Sequence, residues 1–229
     1  MGAEASLGWD LREAAAEHLL AQAGLGEVVA PPMGAVVAAL GWRLAAGAPR
    51  GTHGWLDLDA ATVHIDDRGD ALAVAERIAH ELGHLAAMAI CAAHDEADAD
   101  AIGLAMRVPR RGVRETLRNT GWDALRIAAS YPEVEPLEAL VRVAAIGGGA
   151  LAVHQGGVRV YAAVGEAPCG AMFPRELTMV QAIRRVRRAR PLRDATSGLR
   201  AFPMRLGRGD AVVLLASPEV VVEWQVDAD

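Results

Sequence analysis

The sequence has no lysine and few aromatic residues. All 23 basic residues are arginine, and aromatic side chains make up 4% of the 229 residues. We attribute the absence of lysine to a GC-rich genome, and the scarcity of aromatic side chains leaves many core positions to alanine. Because 52% of the residues are apolar, a disordered chain is excluded, and the length is sufficient for one large or two small domains.

The sequence also offers little support for a disulfide framework, a signal sequence or a membrane span. Cys91 and Cys169 are the only cysteines, which favours a reducing compartment. Residues 1–10 lack the basic residues and the apolar stretch of a secretory signal. The longest uncharged run, 28–42, has 15 residues, whereas a bilayer span requires about 18–20 apolar residues. We therefore expect a cytoplasmic protein with no membrane contact.

Charge is divided unevenly along the chain, although the formal net charge is only -6. Residues 1–109 carry 6 Arg and 16 acidic side chains, whereas residues 110–229 carry 17 Arg and 13 acidic side chains. The two halves therefore have net charges of opposite sign, which indicates two parts with different roles.

Helical and strand patterns predict an α+β protein with three parts. Helical spacing in the first half covers 11–23, 33–40, 70–88 and 95–106. Two short β-favouring runs predict a hairpin from Trp55 to Ile65. After Pro109, three short helices are predicted over 113–119, 122–130 and 135–146, followed by the glycine triplet 147–149 as a linker.

The last part of the chain has a ββαβββ pattern. The predicted strands cover 151–154, 158–164, 199–206, 211–216 and 220–226, and the predicted helix covers 175–190. We therefore predict a core over 1–112, a short helical segment over 113–149 that resembles a helix-turn-helix, and a C-terminal sensor or docking module over 150–229.

The most specific motif is His80-Glu81-Leu82-Gly83-His84, an H-E-x-x-H string within a predicted helix. A spacing of four residues places both imidazoles on one helix face, where their nitrogens can bind the same Zn²⁺. Glu81 lies beside the first histidine, so its carboxylate can act as general base without being a ligand. The motif therefore predicts a catalytic zinc site.

The third zinc ligand must come from outside this motif. Glu96 and Asp100 lie one turn apart near the start of the next predicted helix, so one can bind the metal while the other accepts the outer N–H of a ligand histidine. Glu96 is favoured if the first helix ends soon after His84. If that helix runs to Cys91, Asp100 or His94 would face the metal better.

The run from His80 to Pro109 resembles the ImmA/IrrE family of zinc metallopeptidases. Its specific parts are HELGH and the E-x-x-A of Glu96-Ala97-Asp98-Ala99, and the resemblance covers about residues 10–150. The chain departs from the family pattern at Asp100 and at Ile102-Gly103, where the family prefers Asn and Phe-Ala. The resemblance implies zinc ligands at His80, His84 and Glu96 and a catalytic carboxylate at Glu81.

The resemblance also implies a particular fold and a particular function. The core would be a minimal zincin-like metallopeptidase, and the C-terminal module would be similar to the GAF-like domain of some family members. The implied activity is zinc-dependent endopeptidase cleavage of a helix-turn-helix transcriptional repressor in a stress or DNA-damage response. Nucleic acid is a candidate activating signal. The edge of the 55–65 hairpin would receive an extended substrate strand.

Other residues have weaker functional signals. Tyr131 and His154 are candidates for oxyanion stabilisation by residue type alone, and Cys169 lies in a turn from which a thiolate could block the zinc. The clustered side chains Arg184, Arg185, Arg187 and Arg188 predict either a solvated helix face or a surface for nucleic acid or an acidic partner. The alternative hypothesis is therefore a zinc-loaded, non-proteolytic regulator that binds a repressor or nucleic acid through this C-terminal half.

Overall fold

A computed structural model of the chain shows a mixed α+β fold, which confirms the predicted class. The structure describes residues 7–47, 52, 54–90, 93–173, 175–185, 191–195, 197–206 and 209–221. These residues form two compact units, Met1–Gly112 with Tyr131–Glu135 and Val113–Ser130 with Pro136–Asp229. The division into three parts stays a prediction. In the described residues, no helix has both the length and the apolar character that crossing a bilayer requires.

The first unit contains four helices and a small sheet. Its elements are α1 (Trp9–Gln22), α2 (Met33–Ala39), β1 (Arg43–Ala46), β2 (Gly54–Asp57), β3 (Thr62–Ile65), α3 (Ala71–Ile90) and α4 (Glu96–Arg107). The four predicted helices are therefore confirmed. Buried apolar residues from all four helices and from β3 form one core, which includes Leu19, Val36, Val63, Leu82 and Ile102.

The sheet of the first unit has the strand order β1-β3-β2. β2 and β3 are antiparallel, with Trp55 opposite His64, so the predicted hairpin is confirmed. β1 pairs in parallel with the other side of β3 and was not predicted, because its residues are mostly exposed and show no apolar alternation. β2 therefore forms one edge of this sheet.

Helices α3 and α4 pack closely because glycine lies at both contact points. A Cβ atom on Gly83 would lie 2.2 Å from the carbonyl oxygen of Ala99, and one on Gly103 would lie 2.8 Å from that of Ala79. Such distances are shorter than van der Waals contact, so only glycine allows this approach. Gly103, which departs from the family pattern, therefore has a packing role here.

Asp98 holds the start of α4 in place. Its side chain and that of the N-cap residue Asp95 form a capping box, and its carboxylate also accepts hydrogen bonds from the backbone N–H of Leu7 and from Arg12. Burial alone would raise the pKa of Asp98, but these hydrogen bonds and the Arg12 charge lower the pKa below its usual value. The carboxylate therefore stays charged within the core.

The second unit begins within α5 (Arg110–Thr120) and contains a six-stranded sheet. Its other elements are α6 (Ala124–Ala129), α7 (Pro136–Gly147), β4 (Ala150–Gln155), β5 (Val158–Val164), β6 (Ala167–Pro168), α8 (Glu176–Arg185), β7 (Leu192–Arg193), β8 (Arg200–Leu206) and β9 (Gly209–Ala216). The strand order is β6-β5-β4-β9-β8-β7, and α8 packs on one face of the sheet.

Two expectations for the second unit were wrong. The predicted strand over 220–226 begins instead as a helical turn, because Ser217 and Pro218 start a turn in which the N–H of Val221 donates to the carbonyl of Ser217. Residues 222–226 lie outside the described part of the chain. The predicted glycine linker ends α7 and packs tightly, since a Cβ on Gly149 would lie 2.3 Å from the Trp122 ring.

Candidate metal centre

Three potential ligand atoms converge where α3 meets the start of α4. The Nε2 atoms of His80 and His84 lie 3.1 Å apart. The Oε2 atom of Glu96 lies 3.1 Å from the first nitrogen and 3.5 Å from the second. Among the histidine, cysteine and acidic side chains that the structure describes, these three have ligand atoms close enough together to hold a metal ion.

The spacing of these atoms fits a tetrahedral zinc site. With Zn–N and Zn–O distances of about 2.0–2.1 Å, neighbouring ligand atoms in a tetrahedron lie about 3.3–3.4 Å apart. The three observed separations lie within a few tenths of an ångström of that value. Two imidazoles and one carboxylate are also the donor set of known catalytic zinc sites, which keep a fourth position open. The residues therefore fit Zn²⁺.

The outer nitrogen of each histidine has a side-chain partner. His80 Nδ1 lies 2.7 Å from Asp100 Oδ1, so this carboxylate can accept a hydrogen bond from the imidazole. His84 Nδ1 lies 2.9 Å from His94 Nε2, which can accept the corresponding hydrogen bond. Partners of this kind orient ligand imidazoles and select the tautomer that binds metal. The environment also favours the neutral form of His84, because burial and the neighbouring His80 lower its pKa.

The length of α3 did not decide the third ligand in the way we expected. α3 continues to Ile90, close to Cys91, and yet Glu96 rather than Asp100 or His94 lies beside both Nε2 atoms. The reason is that α4 begins at Glu96 and approaches α3 closely along the glycine contacts. The structure therefore places Glu96 beside the Nε2 atoms of both histidines, and it places Asp100 one turn further along α4, beside Nδ1 of His80.

Glu81 lies beside this cluster and is buried. A Cβ atom on Gly54 would lie 2.6 Å from Glu81 Oε1, so the absence of a side chain in β2 makes room for the carboxylate. Burial raises the pKa of Glu81, the nearby His80 opposes this, and Glu96 adds to it. A carboxylate with a raised pKa is suited to accepting and returning a proton.

A cleft of about 550 Å³ separates the histidines from the edge strand β2. Gly54, Trp55 and Leu56 of β2 line one side, and His80, His84 and Met88 of α3 line the other. The Trp55 ring stacks on His64 of β3, with centroids 4.2 Å apart and planes 3° from parallel. The edge strand is therefore held in place beside the cluster.

Several predicted site residues lie elsewhere. Tyr131 is buried in the first unit, in a small cavity with Pro31 and Arg107, and is not among the described residues that line the cleft. His154 belongs to the second unit and pairs with buried Glu176. Both oxyanion assignments are therefore corrected, because these side chains occupy other sites.

The remaining candidates lie in the second unit or outside the described part of the chain. Cys169 is half-buried, and its thiol donates to the carbonyl of Ala171 in the same turn, so the proposed thiol block stays a prediction. Arg184 is exposed on α8 and Arg185 ends this helix. Arg187 and Arg188 lie outside the described residues.

Comparison with known proteins gives a fold but no family. No protein-family model matches the chain, and no curated protein matches it. A solved structure, "Mycobacterium tuberculosis transcriptional regulator", is similar, with 14% sequence identity and a TM-score of 0.57. The similarity covers 93% of this chain and 90% of that one. It shows a shared fold over nearly the whole length of both chains.

This comparison contradicts the function predicted from the sequence. We expected an endopeptidase that cleaves a helix-turn-helix repressor, whereas the protein with the similar fold is named a transcriptional regulator. We therefore correct the predicted endopeptidase function, which this finding does not support. Zinc binding and the resemblance to the ImmA/IrrE family stay predictions.

Proposed function

We propose that this chain is a zinc-binding transcriptional regulator whose first unit holds the metal. The observation that carries the proposal is the convergence of His80, His84 and Glu96 at tetrahedral spacing. The likeness to a protein named a transcriptional regulator supports the regulatory part of the proposal. In this account, the three side chains bind Zn²⁺, while Asp100 and His94 hold the two imidazoles in the binding orientation.

The finer predictions about fold and partners belong to the same proposal. They are a zincin-like arrangement of the first unit, a GAF-like arrangement of the six-stranded sheet, and a cytoplasmic location. Nucleic acid or a helix-turn-helix repressor is the proposed partner. The basic residues of the second half support such a partner, because arginine suits contacts with phosphates and carboxylates.

Glu81 favours a second candidate, hydrolytic activity at the same centre. Zn²⁺ in such a site supplies a Lewis acid that polarises a carbonyl and lowers the pKa of water. Glu81 would take up a proton at its carboxylate and return it to a leaving group, which its burial and raised pKa support. Met88 and the edge strand β2 would contact the bound molecule and limit access of water to the cleft.

Transcript profiling separates these candidates. The chromosomal gene is replaced by the wild-type sequence, by His84→Ala, by Glu81→Gln or by His18→Ala, an exposed histidine on α1 outside the centre. A zinc-dependent regulator predicts that deletion and His84→Ala change the same transcripts, whereas His18→Ala matches wild type. Loss of regulation in Glu81→Gln with zinc retained would favour hydrolysis. Unchanged transcripts after deletion would contradict regulation altogether.

A further inference from the structure

The second unit contains a cavity of about 690 Å³ on the face of the sheet that α8 covers. Its apolar wall is formed by Val180 and Ile183 of α8 and by Val212 of β9. The turn after β4, at Gly156 and Gly157, also lines the cavity. A volume of this size is typical of sites for small organic molecules, and mostly apolar walls with a few polar groups are typical of such sites.

A buried histidine at this cavity has an unused nitrogen. His154 lines the cavity, and its side chain is 1% exposed. Its Nε2 atom lies 2.6 Å from Glu176 Oε1, whereas its Nδ1 atom is buried and has no hydrogen-bond partner among the residues that the structure describes. Buried polar atoms in folded proteins nearly always have a partner. Nδ1 is therefore the polar atom of His154 that remains for a bound molecule.

The other contacts of Glu176 fix His154 in this position. Glu176 is the first residue of α8, and its Oε2 atom accepts hydrogen bonds from the backbone N–H of Phe173 at 2.8 Å and from Arg159 at 3.4 Å. Both carboxylate oxygens are therefore used, and neither is available to a molecule in the cavity. The imidazole cannot turn without breaking its buried hydrogen bond to Glu176.

Charged groups at the cavity indicate the class of ligand. Arg184 extends from α8 across the end of the cavity, so that a Cβ on Gly157 would lie 2.2 Å from its guanidinium nitrogen. Arg205 and Asp210 also line the cavity and stand opposite each other in the β8–β9 register, so their opposite charges offset each other there. Among the residues that the structure describes, Arg184 is therefore the lining cation with no acidic residue opposite it.

We propose that this cavity binds a small amphipathic organic anion. Its anionic group contacts Arg184, its apolar body packs against Val180, Ile183 and Val212, and a polar group bonds to His154 Nδ1. The proposal rests on the second unit alone and stands whether or not the first unit binds zinc.

A pair of fluorescent probes tests this proposal on the full chain. 8-Anilinonaphthalene-1-sulfonate has an apolar ring system and an anionic group, and N-phenyl-1-naphthylamine has the same rings without the sulfonate. We expect saturable binding of the sulfonate probe. Arg184→Gln should weaken that binding by about tenfold, because a charge-assisted hydrogen bond is lost, and should leave binding of the neutral probe nearly unchanged.

Two further variants locate the site. Arg193→Gln makes the same substitution at an exposed arginine of β7 that is not among the described lining residues, and it should leave the affinity for both probes unchanged. Val212→Phe fills the cavity and should weaken the binding of both probes. A cooperative thermal transition shows that this variant is folded, and if it is not folded, the two arginine variants decide the test.

The proposal would be overturned by any of three results. These are the absence of saturable binding of the sulfonate probe, equal affinity in wild type and Arg184→Gln, and equal loss of affinity in Arg193→Gln. The ¹⁵N resonance of His154 Nδ1 gives an independent readout, since it should move when the probe binds. A resonance that stays in place would show that the histidine is not part of the site.

Discussion

Replacing Gly83 by alanine should displace Glu96 from the two histidines by forcing α3 and α4 apart. The new Cβ atom would lie 2.2 Å from the Ala99 carbonyl oxygen, whereas a carbon and a carbonyl oxygen in contact lie about 3.3–3.6 Å apart. The backbones of α3 and α4 must therefore separate by about 1 Å, because neither atom belongs to a flexible side chain. Metal–ligand distances tolerate only about 0.2 Å, so Glu96 would no longer reach the zinc held by the histidines.

The expected magnitude combines affinity and stability. We expect the zinc affinity to fall by about 10–100-fold, as when groups that orient a ligand are lost. The added methyl group should also cost about 1–3 kcal/mol of unfolding free energy through overpacking. Alanine has a higher helix propensity than glycine, which offsets about 0.8–1.0 kcal/mol of this loss. The net loss of unfolding free energy is therefore about 0–2 kcal/mol.

Competition with a chromophoric chelator measures the affinity, and urea unfolding of the metal-free protein measures the stability. Gly34→Ala is the matched control, because this exposed glycine of α2 has no atom within 4 Å of the new Cβ. Gly103→Ala, with a 2.8 Å contact, should give an intermediate effect. Wild-type zinc affinity and stability in Gly83→Ala would refute the argument that this helix contact positions the ligands.

Three further predictions concern single side chains. His94→Ala removes the partner of His84 Nδ1 and should lower zinc affinity by about tenfold in the same competition assay, and an unchanged affinity would show that this contact does not support the ligand. Glu81→Gln should retain zinc binding. In the metal-free protein, this substitution should raise the melting temperature more at pH 7 than at pH 4. The pKa of Glu81 is raised in the folded state, so the charged wild-type carboxylate destabilises the fold as pH rises. An equal gain in melting temperature at both pH values would contradict this. Asp98→Asn should cost about 2–4 kcal/mol at pH 7. Because the pKa of Asp98 is lowered in the folded state, its contribution is present above about pH 4 and is lost as pH falls through the folded-state pKa, so urea unfolding should show a smaller difference between variant and wild type at pH 3 than at pH 7.

Local patterns predicted the two helices of the candidate metal centre well. The spacing of His80 and His84 places them on a common face of one helix, and the helix predicted over 95–106 agrees with α4 to within one residue at each end. The close approach of these helices depends on Gly83 and Gly103, whose role becomes visible only when both helices are placed. The spacing between residues therefore predicts the candidate ligands, whereas packing determines which of them meet.

Long-range pairs could not be predicted from the sequence. His154 and Glu176 are separated by 22 residues, and neither has a neighbour in sequence that identifies the other. The strand expected from Val220 onward failed for a different reason, since its β-branched residues follow Ser217 and Pro218, which favour a helical turn. β1 gave no signal because its exposed residues are stabilised by pairing with β3 rather than by an apolar face.

Zinc content is the most direct test of the metal centre. The protein is purified without chelator, and zinc per chain is measured by mass spectrometry in wild type, His84→Ala, Glu96→Gln and His18→Ala. Our account predicts one zinc ion per chain in wild type and in His18→Ala, and a loss of most of the zinc in His84→Ala and Glu96→Gln. Zinc-free wild-type protein that takes up no added zinc, or full zinc content in both ligand variants, would contradict it.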